Sequence, residues 1–272
     1  MNDLHILFWN MYGKDLSENL AAILDEHRPN IVLLCEFGGS ERKLLETVNR
    51  NETRYRLDKK LGDGRLVALT TESHRGLKRV RDEERYSFWR VGNGPRRITL
   101  CGLHLPSRLY LDQKELNQLL PRISTDIAAI EEKEGHDRTI LIGDLNLNPF
   151  DEMIMSSEGL HAISSLKEAS KGSRQVQKQE RKFFYNPMWS LLGDRPLEPA
   201  GTYFWRSGVS GYGWNMLDQS LFRPTVMERF ADFEVEILTR AGDNPLTDDQ
   251  GRPDSRTASD HLPIRIRFIE GT

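Results

Sequence analysis

Apolar and amphipathic stretches alternate along the first fifty residues. Residues 4–9 are mostly apolar and predict a strand, and residues 31–35 form a fully apolar run typical of buried strands. Between them, Asp15 with Glu18 three residues later predicts the N-cap of a helix, which Pro29 ends. The apolar face of this helix carries Leu16, Leu20, Ile23 and Leu24. A further helix is predicted from Leu44, Leu45 and Val48.

The rest of the chain mixes short strands with helices. Residues 55–103 predict short strands, with Gly62-Asp63-Gly64 as a hairpin turn. Asp112 with Glu115 predicts the start of a long helix, which Pro121 should kink or divide. Further strands are predicted at 139–142, 217–222, 233–238 and 264–269. Since we find no internal repeat and no linker, the simplest organisation is a single α/β domain over the whole chain, 1–272.

The segment at about 165–215 has the least regular pattern. Between Lys167 and Lys182 it holds six basic residues against two acidic ones, and nine aromatic side chains follow by residue 214. Cations that contact phosphates and rings that stack on bases are typical of a nucleic-acid surface. A solvated helix followed by core aromatics gives the same composition, and the sequence leaves both interpretations open.

The composition is that of an ordinary globular protein. Of 272 residues, 38% are hydrophobic and 29% charged, and the formal net charge is −3. There is no general basic excess, yet a local basic groove or a bound cation is compatible with nucleic-acid binding. Cys35 and Cys101 lie in apolar runs and are expected to be buried strand thiols, with no disulfide framework or zinc-type spacing. The sequence shows no signal peptide or membrane span, so we expect a cytoplasmic protein.

Polar side chains stand at the ends of the predicted strands. They include carboxylates, carboxamides and imidazoles: Asn10, Glu36, His104, Asp144, Asn146, Asp218, Asp260 and His261. Strand ends of an α/β sandwich gather at one edge, where catalytic groups commonly lie on the loops. We therefore expect these side chains to line one polar cleft.

Several of these residue types suit metal-assisted hydrolysis of a phosphate ester. A hard cation such as Mg²⁺ prefers oxygen ligands, and Glu36 and Asp260 are the candidate ligands. Oxygen ligands do not separate Mg²⁺ from Mn²⁺. Asp144 is the candidate for orienting or deprotonating the attacking water.

Other side chains suit binding of the phosphate itself. Asn146 and Asn10 are candidate hydrogen-bond donors, and Asn10 is alternatively a group that assists the metal. His261 is a candidate for contacting or protonating phosphate oxygens, and a carboxylate such as Asp218 would fix the orientation of its ring.

Six short motifs occur in one order over nearly the whole chain. They are Phe8-Trp9-Asn10, Cys35-Glu36, Leu103-His104, Gly143-Asp144-Leu145-Asn146, Leu217-Asp218 and Ser259-Asp260-His261. Each motif is weak alone, but the ordered set resembles the endonuclease/exonuclease/phosphatase, or DNase I-like, superfamily. The resemblance implies a four-layered α/β sandwich, with two mostly antiparallel mixed β-sheets packed face to face and helices outside. It also implies dependence on Mg²⁺ or Mn²⁺ and in-line attack by water.

The resemblance implies a role for each matching residue near the metal and the water. Glu36 corresponds to a metal ligand, with Asn10 beside it and Asp260 near the metal. Asp144 corresponds to the residue that positions the nucleophile, and Asn146 to one that binds the phosphate.

The remaining matches concern the phosphate and the leaving group. His104 corresponds to a residue that holds the phosphate and aids the leaving group, and Asp218 with His261 corresponds to an Asp–His pair. The family's segment usually reads Ile-Asp-Tyr, whereas here it is Leu217-Asp218-Gln219. The carboxylate is kept and the aromatic neighbour is not, so the role of Asp218 is retained and the surroundings of the pocket differ.

Arg108 and Tyr110 follow His104 closely. Their types suit a phosphate contact and a stacking or positioning role, and a plain surface loop is the alternative.

Three functional hypotheses differ in what the sequence should contain. A nuclease, with nucleic acid as its partner, is favoured by the compact layout and the basic and aromatic segment. A phosphatase or a lipid or inositol phosphate phosphodiesterase would need a membrane-facing apolar loop or a second basic pocket, and neither is identified. An inactive scaffold would have lost some of the matched residues, and none is lost. We therefore expect a metal-dependent nuclease, with the phosphatase as the alternative and no protein partner deducible.

Overall fold

The computed structural model describes residues 3–52, 54–61, 64–71, 76–107, 113–193, 199–207 and 212–271. Numbered in chain order, its α-helices are α1 (Ser17–His27), α2 (Glu41–Val48), α3 (Gln113–Glu134), α4 (Glu152–Met155) and α5 (Leu166–Ala169). Short 3-10 helices cover Pro187–Leu191 and Pro224–Glu228. In the described part of the chain, no helix has both the length and the apolar composition needed to cross a membrane.

Two large mixed sheets form the body of the molecule. The six-stranded sheet contains β1 (Leu4–Asn10), β2 (Ile31–Cys35), β3 (Tyr55–Leu57), β4 (Val67–Thr71), β16 (Asp232–Ile237) and β19 (Ile264–Ile269). The seven-stranded sheet contains β5 (Lys78–Asp82), β6 (Tyr86–Val91), β7 (Ile98–His104), β8 (Thr139–Asp144), β9 (Ala162–Ile163), β12 (Phe184–Tyr185) and β15 (Asp218–Phe222). Short antiparallel pairs join β10 (Ser173–Val176) with β11 (Gln179–Lys182), β13 (Tyr203–Trp205) with β14 (Gly213–Asn215), and β17 (Arg240–Ala241) with β18 (Asn244–Pro245).

Most strand pairs in both sheets are antiparallel. The strand orders are β16-β19-β1-β2-β4-β3 and β5-β6-β7-β8-β15-β12-β9. Parallel pairing occurs between β1 and β2, between β7 and β8, and between β12 and β9. The mixed, mostly antiparallel sheets expected from the sequence are confirmed.

Apolar packing joins the layers. Strands β1 and β2 are buried along their whole length, and their side chains share one core with residues of the seven-stranded sheet such as Ile140 and Phe222. A second core lies between the other face of that sheet and α3, which contributes Leu120, Ile123 and Ile127. Helices α1 and α2 pack through Leu20, Ile23, Leu24 and Leu44 into the first core. This is a four-layered α/β sandwich.

The helices differ in detail from the expectations. The prediction that Asp15 is the N-cap is wrong by one residue, because α1 begins at Ser17 and Leu16 occupies the cap position. The Asp15 carboxylate instead accepts a hydrogen bond from the Ser17 backbone N–H, at 3.2 Å, in the turn before the helix. Helix α3 continues through Pro121, so of the two predicted alternatives, a kink or a division, the division is wrong. Gly62 and Asp63 of the predicted turn, and the predicted cap Asp112, lie outside the described residues.

The basic stretch between Lys167 and Lys182 is not one solvated helix. It begins in the four-residue helix α5 and continues as the exposed hairpin of β10 and β11. The aromatic residues that follow are divided: Phe184 is buried in the second core, whereas Tyr203–Trp205 is half-buried in β13. Both cysteines are free and buried in strands, as expected.

The strand directions bring the polar residues to one edge of the sandwich. Strands β1, β2, β7 and β8 end there, and β15 and β19, which run antiparallel to β8 and β1, begin there. We call this the active-site edge.

Candidate active site

Strand register sets the spacing of the polar groups in the seven-stranded sheet. His104 and Asp144 are Cα partners in the parallel β7–β8 pair, and Asp144 and Asp218 are partners in the antiparallel β8–β15 pair. A Cβ placed on Gly143 would lie 2.0 Å from the Leu103 backbone oxygen, so only glycine fits between these strands. The Gly-Asp motif therefore combines a close strand approach with the carboxylate that follows it.

The Asp144 carboxylate is buried and held by amide groups. Its Oδ2 accepts hydrogen bonds from Asn10 Nδ2 at 3.0 Å and from Asn146 Nδ2 at 3.1 Å. Its Oδ1 accepts from the Asn146 backbone N–H at 2.9 Å. Asn146 reaches this position with a φ of 51°, in the left-handed region that asparagine tolerates better than most residues. Burial raises the pKa of Asp144 to about 6.

Glu36 and His104 form a second contact, at the mouth of the site. His104 Nε2 lies 3.2 Å from Glu36 Oε1 and 3.9 Å from Asp144 Oδ2. Asn10 Nδ2 also lies 3.3 Å from Glu36 Oε1, so this amide connects the two sheets. The hydrogen bond with His104 is the largest cause of a lowered pKa at Glu36. With 40% of its side chain exposed, Glu36 remains open to solvent.

Asp218 and His261 form a buried pair. His261 Nδ1 lies 2.8 Å from Asp218 Oδ2, and the side chains are 8% and 0% exposed. Burial lowers the pKa of His261, but the charges of Asp218 and Asp144 outweigh it and raise that pKa to about 10. The expected Asp–His pairing is thus present in the geometry, with the Nε2 side of the ring left for other contacts.

Hydrogen bonds from the end of β1 hold the segment that carries His261. Trp9 Nε1 donates to the His261 backbone oxygen at 3.0 Å. Ser259 Oγ donates to the Asn10 backbone oxygen at 2.7 Å and accepts from the His261 backbone N–H at 3.1 Å. The Phe-Trp-Asn and Ser-Asp-His motifs are therefore connected directly, which explains why an indole and a hydroxyl flank the functional side chains.

Gln219 supports the site from within the core, a role that the sequence did not predict. Its Nε2 donates to the backbone oxygens of Leu147 and Met216, at 2.6 and 3.0 Å, and its Oε1 accepts from Asn186 Nδ2 at 2.7 Å. The side chain is fully buried. It ties the loop after β8 to the start of β15, and so fixes the segments that carry Asn146 and Asp218.

The donor set fits a hard divalent cation. Asp260 Oδ1 is buried and has no hydrogen-bond partner among the described residues, and burial raises the pKa of this carboxyl. A buried carboxylate oxygen without a donor is costly unless a cation neutralises it. Ligand atoms of Asp144, Asp218 and His261 also lie within 4.8 Å of one another. Most polar atoms of that second cluster already have hydrogen-bond partners, because Asp144 accepts amide hydrogen bonds and Asp218 pairs with His261.

An aromatic pocket adjoins Asp260. Its volume is about 210 Å³, and it is lined by Tyr12, Tyr203, Phe204, Trp205, Arg206, Ser207, Pro253, Ser255 and Asp260. The Tyr203 ring centroid lies 4.9 Å from that of His261, so the pocket is continuous with the site. The aromatic composition of residues 203–205 was visible in the sequence, but the contribution of Tyr12 depends on its φ of 53° after β1.

The basic hairpin lies away from this pocket. Lys182 Nζ contacts Asp137 at 3.3 Å, and Asp137 precedes β8 at the end remote from Asp144. The basic and aromatic parts of residues 165–215 therefore do not form one surface. Arg108 and Tyr110, the expected substrate-binding residues, lie outside the described residues.

No protein-family model matches the chain, and no curated protein matches it. Several solved structures are similar to the chain. D. rerio TDP2 complexed with a single strand DNA product is 18% identical, with a TM-score of 0.56, and the match covers 98% of each chain. The human Nocturnin catalytic domain with a bound sulfate anion is 15% identical, with a TM-score of 0.57 and coverage of 99% of this chain and 95% of that one. ANGEL2, a 2',3'-cyclic phosphatase, is 14% identical, with a TM-score of 0.61 and coverage of 98% and 95%.

These structures share the DNase I-like architecture. With the two mixed sheets and their order of strands, the similarity shows that this chain has the DNase I-like fold. The fold expected from the six motifs is confirmed.

Proposed function

We propose that this protein is a divalent-metal-dependent phosphodiesterase that hydrolyses nucleic acid by in-line attack of water. The observation that carries the proposal is the convergence of Asp144, the Asp218–His261 pair and the Glu36–His104 contact at one edge of the sandwich. A buried, oriented carboxylate can activate a water molecule, and two neighbouring imidazoles can bind the phosphate.

Mg²⁺ or Mn²⁺ is the proposed cofactor, held by Glu36 and Asp260 with Asn10 beside them. Support comes from the partnerless Asp260 Oδ1 and from the open position of Glu36. When bound, the cation supplies positive charge that stabilises the charge developing on the phosphoryl oxygens.

Asp144 is the proposed positioning group for the attacking water. Its two carboxylate oxygens are oriented by Asn10 and Asn146, which leaves little freedom for the carboxylate to rotate. Once oriented in this way, it accepts a hydrogen bond from water and directs the oxygen lone pair at phosphorus. Asn146 Nδ2 also donates to the Leu105 backbone oxygen at 2.8 Å, so a contact between this amide and a phosphate oxygen would replace one of its present hydrogen bonds.

The two imidazoles act on the phosphate. Asp218 holds His261 through Nδ1, so Nε2 is available to donate a hydrogen bond to a phosphate oxygen. His104, fixed by Glu36, is placed to hold the phosphate on the other side of Asp144 and to assist the leaving oxygen. These contacts favour the more highly charged transition state over the substrate.

The aromatic pocket favours nucleic acid over a small phosphate ester. Tyr12, Tyr203, Phe204 and Trp205 offer rings for an unpaired base, and Arg206 offers a cation, next to Asp260. The TDP2 structure with a single strand DNA product supports the same substrate class. The alternative is a phosphatase, and the similarity to ANGEL2, a 2',3'-cyclic phosphatase, points to a terminal phosphate as its substrate.

The test compares substrates, metals and variants. Purified protein is incubated with plasmid, single-stranded DNA, RNA, RNA with a 2',3'-cyclic phosphate end and a phosphomonoester panel, each with Mg²⁺, Mn²⁺ or EDTA. Asp144→Asn and His261→Ala should abolish metal-dependent cleavage of the polymer. Asp232→Asn, an exposed aspartate at the opposite edge, makes the same charge change as Asp144→Asn and should keep it.

Removal of only a terminal phosphate would replace the nuclease proposal with the phosphatase alternative. Equal inactivity of the wild-type protein and the variants on every substrate would contradict both.

A further inference from the structure

Three arginines meet at the edge opposite the active-site edge. Arg96 lies in the loop before β7, Arg138 directly before β8, and Arg229 directly after the 3-10 helix at Pro224–Glu228. We call them the arginine cluster. Strand β8 separates them from Asp144, and the six steps from Arg138 to Asp144 span roughly 20 Å at about 3.3 Å each. The arginine cluster is therefore distinct from the candidate active site.

Backbone oxygens hold two of these guanidinium groups in place. Arg138 donates from Nε to the Arg97 backbone oxygen at 3.1 Å and from Nη2 to the Pro95 backbone oxygen at 2.7 Å. Arg229 Nη1 donates to the Arg96 backbone oxygen at 2.9 Å. Neutral backbone acceptors thus set the conformations of both side chains.

Glu134, a buried carboxylate in this region, is committed to two other arginines. Arg90 and Arg97 both pair with Glu134, at 2.5 and 2.9 Å. Within the described ranges, Arg96, Arg138 and Arg229 make no ion pair with a carboxylate. Like charges gathered at one place repel, so a bound anion would stabilise the cluster.

Arg229 illustrates the electrostatic cost of bringing the three arginines together. Its Nε is buried and has no hydrogen-bond partner in the described part of the molecule. Burial lowers the pKa of Arg229, and Arg96 and Arg138 lower it further, although Glu270 acts in the opposite direction. A half-buried guanidinium with cationic neighbours is an environment that favours binding of a phosphate group.

We propose that Arg96, Arg138 and Arg229 form a second, non-catalytic site for a phosphate group. The planar guanidinium donors match phosphate oxygens, and the fixed side chains reduce the ordering cost of binding. A nucleic-acid strand and a small polyphosphate both carry this group. The site does not depend on the proposed hydrolysis, because its binding is measurable without a metal.

Fluorescence anisotropy with a labelled 20-nucleotide oligothymidylate in EDTA tests the strand as the source. Arg96→Gln and Arg138→Gln should each weaken binding by about threefold or more and reduce the slope of log K against log salt by about 0.7. Arg122→Gln is the matched control, because Arg122 is an exposed arginine on α3 that already contacts Glu83 at 3.5 Å. Arg96 is exposed and no side-chain hydrogen bond to it is described, so its replacement leaves the fold intact.

Thermal unfolding with inorganic tripolyphosphate tests the small anion as the source. A rise in Tm that Arg96→Gln and Arg138→Gln abolish, with unchanged oligothymidylate binding, assigns the site to small polyphosphates. Loss of oligothymidylate affinity in the same variants assigns it to a strand. If neither ligand distinguishes these variants from Arg122→Gln, the second phosphate site does not exist, whatever the outcome of the cleavage assays.

Discussion

Replacing Gln219 with leucine removes the buried amide that ties the loop after β8 to the start of β15. The two side chains have similar size, so the packing volume changes little. Three partners lose their hydrogen bond: the backbone oxygens of Leu147 and Met216, and Asn186 Nδ2. Gln219 itself is fully buried, so water cannot replace it without a change in the surrounding structure.

The expected loss of stability follows from these partners. Each buried polar group left unsatisfied costs about 1–3 kcal/mol, and the added apolar surface of leucine returns about 1–2 kcal/mol. At about 2 kcal/mol for each of the three groups, the net expectation is a decrease of about 4–5 kcal/mol in the free energy of unfolding. Because the same amide fixes the segments carrying Asn146 and Asp218, the proposed hydrolytic activity should also fall in the variant that remains folded.

Urea unfolding, followed by tryptophan fluorescence, measures the free energy directly. The double variant Gln219→Leu/Asn186→Leu removes both ends of the 2.7 Å amide pair and should be less destabilised than the sum of the single variants by about 1–2 kcal/mol. A Gln219→Leu variant that loses less than about 1 kcal/mol, or strictly additive single variants, would refute the reasoning.

Three further predictions concern charge, substrate and metal. Glu134, paired with Arg90 and Arg97, has its pKa lowered from 4.5 to about 2, first of all by the hydrogen bond from Arg90. Because the folded-state pKa is the lower one, this stabilisation is full above the unfolded-state pKa and disappears as the pH falls toward 2. Glu134→Gln should therefore cost about 1–2 kcal/mol at pH 6, after allowance for solvent screening, and almost nothing at pH 2; an equal cost at both pH values in urea titrations would contradict this. Tyr12→Ala should raise KM for single-stranded nucleic acid by about fivefold or more and leave a small chromogenic phosphodiester unaffected; an equal effect on both substrates would rule out base stacking. Asp260→Asn should abolish the rise in Tm that Mg²⁺ produces in the wild-type protein, whereas Asp232→Asn should retain it; a retained rise in Asp260→Asn would exclude Asp260 as a metal ligand.

The sequence was sufficient for the fold and for the location of the polar groups. Apolar runs such as residues 31–35 coincide with observed strands, and the polar residue after each run lies at the active-site edge. The pattern of apolar positions failed where a side-chain hydrogen bond to the backbone decides the outcome. Asp15 lies before α1 because its carboxylate binds the Ser17 backbone N–H within a turn, and the pattern of apolar positions contains no information about that choice.

Gln219 shows a second limit of the sequence. The resemblance places an aromatic residue directly after the carboxylate that matches Asp218, and the glutamine found here gave no indication of what its side chain does. In the structure, the Gln219 amide accepts one hydrogen bond and donates two. Its three partners come from three different segments of the chain. Such a network depends on long-range contacts and has no signature in local composition.

Strand register explains why so few residues identify this fold. Asp144 is the Cα partner of both His104 and Asp218, so a slip of one residue in either neighbouring strand would turn that side chain to the opposite face of the sheet. The close approach at Gly143 fixes one of these registers, and the buried Gln219 amide fixes the other. The functional side chains are thus positioned by constraints on the backbone behind them. Because these constraints act through the backbone and a few side chains, they place few demands on the surrounding sequence, and the fold is shared at 14–18% identity with structures such as ANGEL2 and D. rerio TDP2.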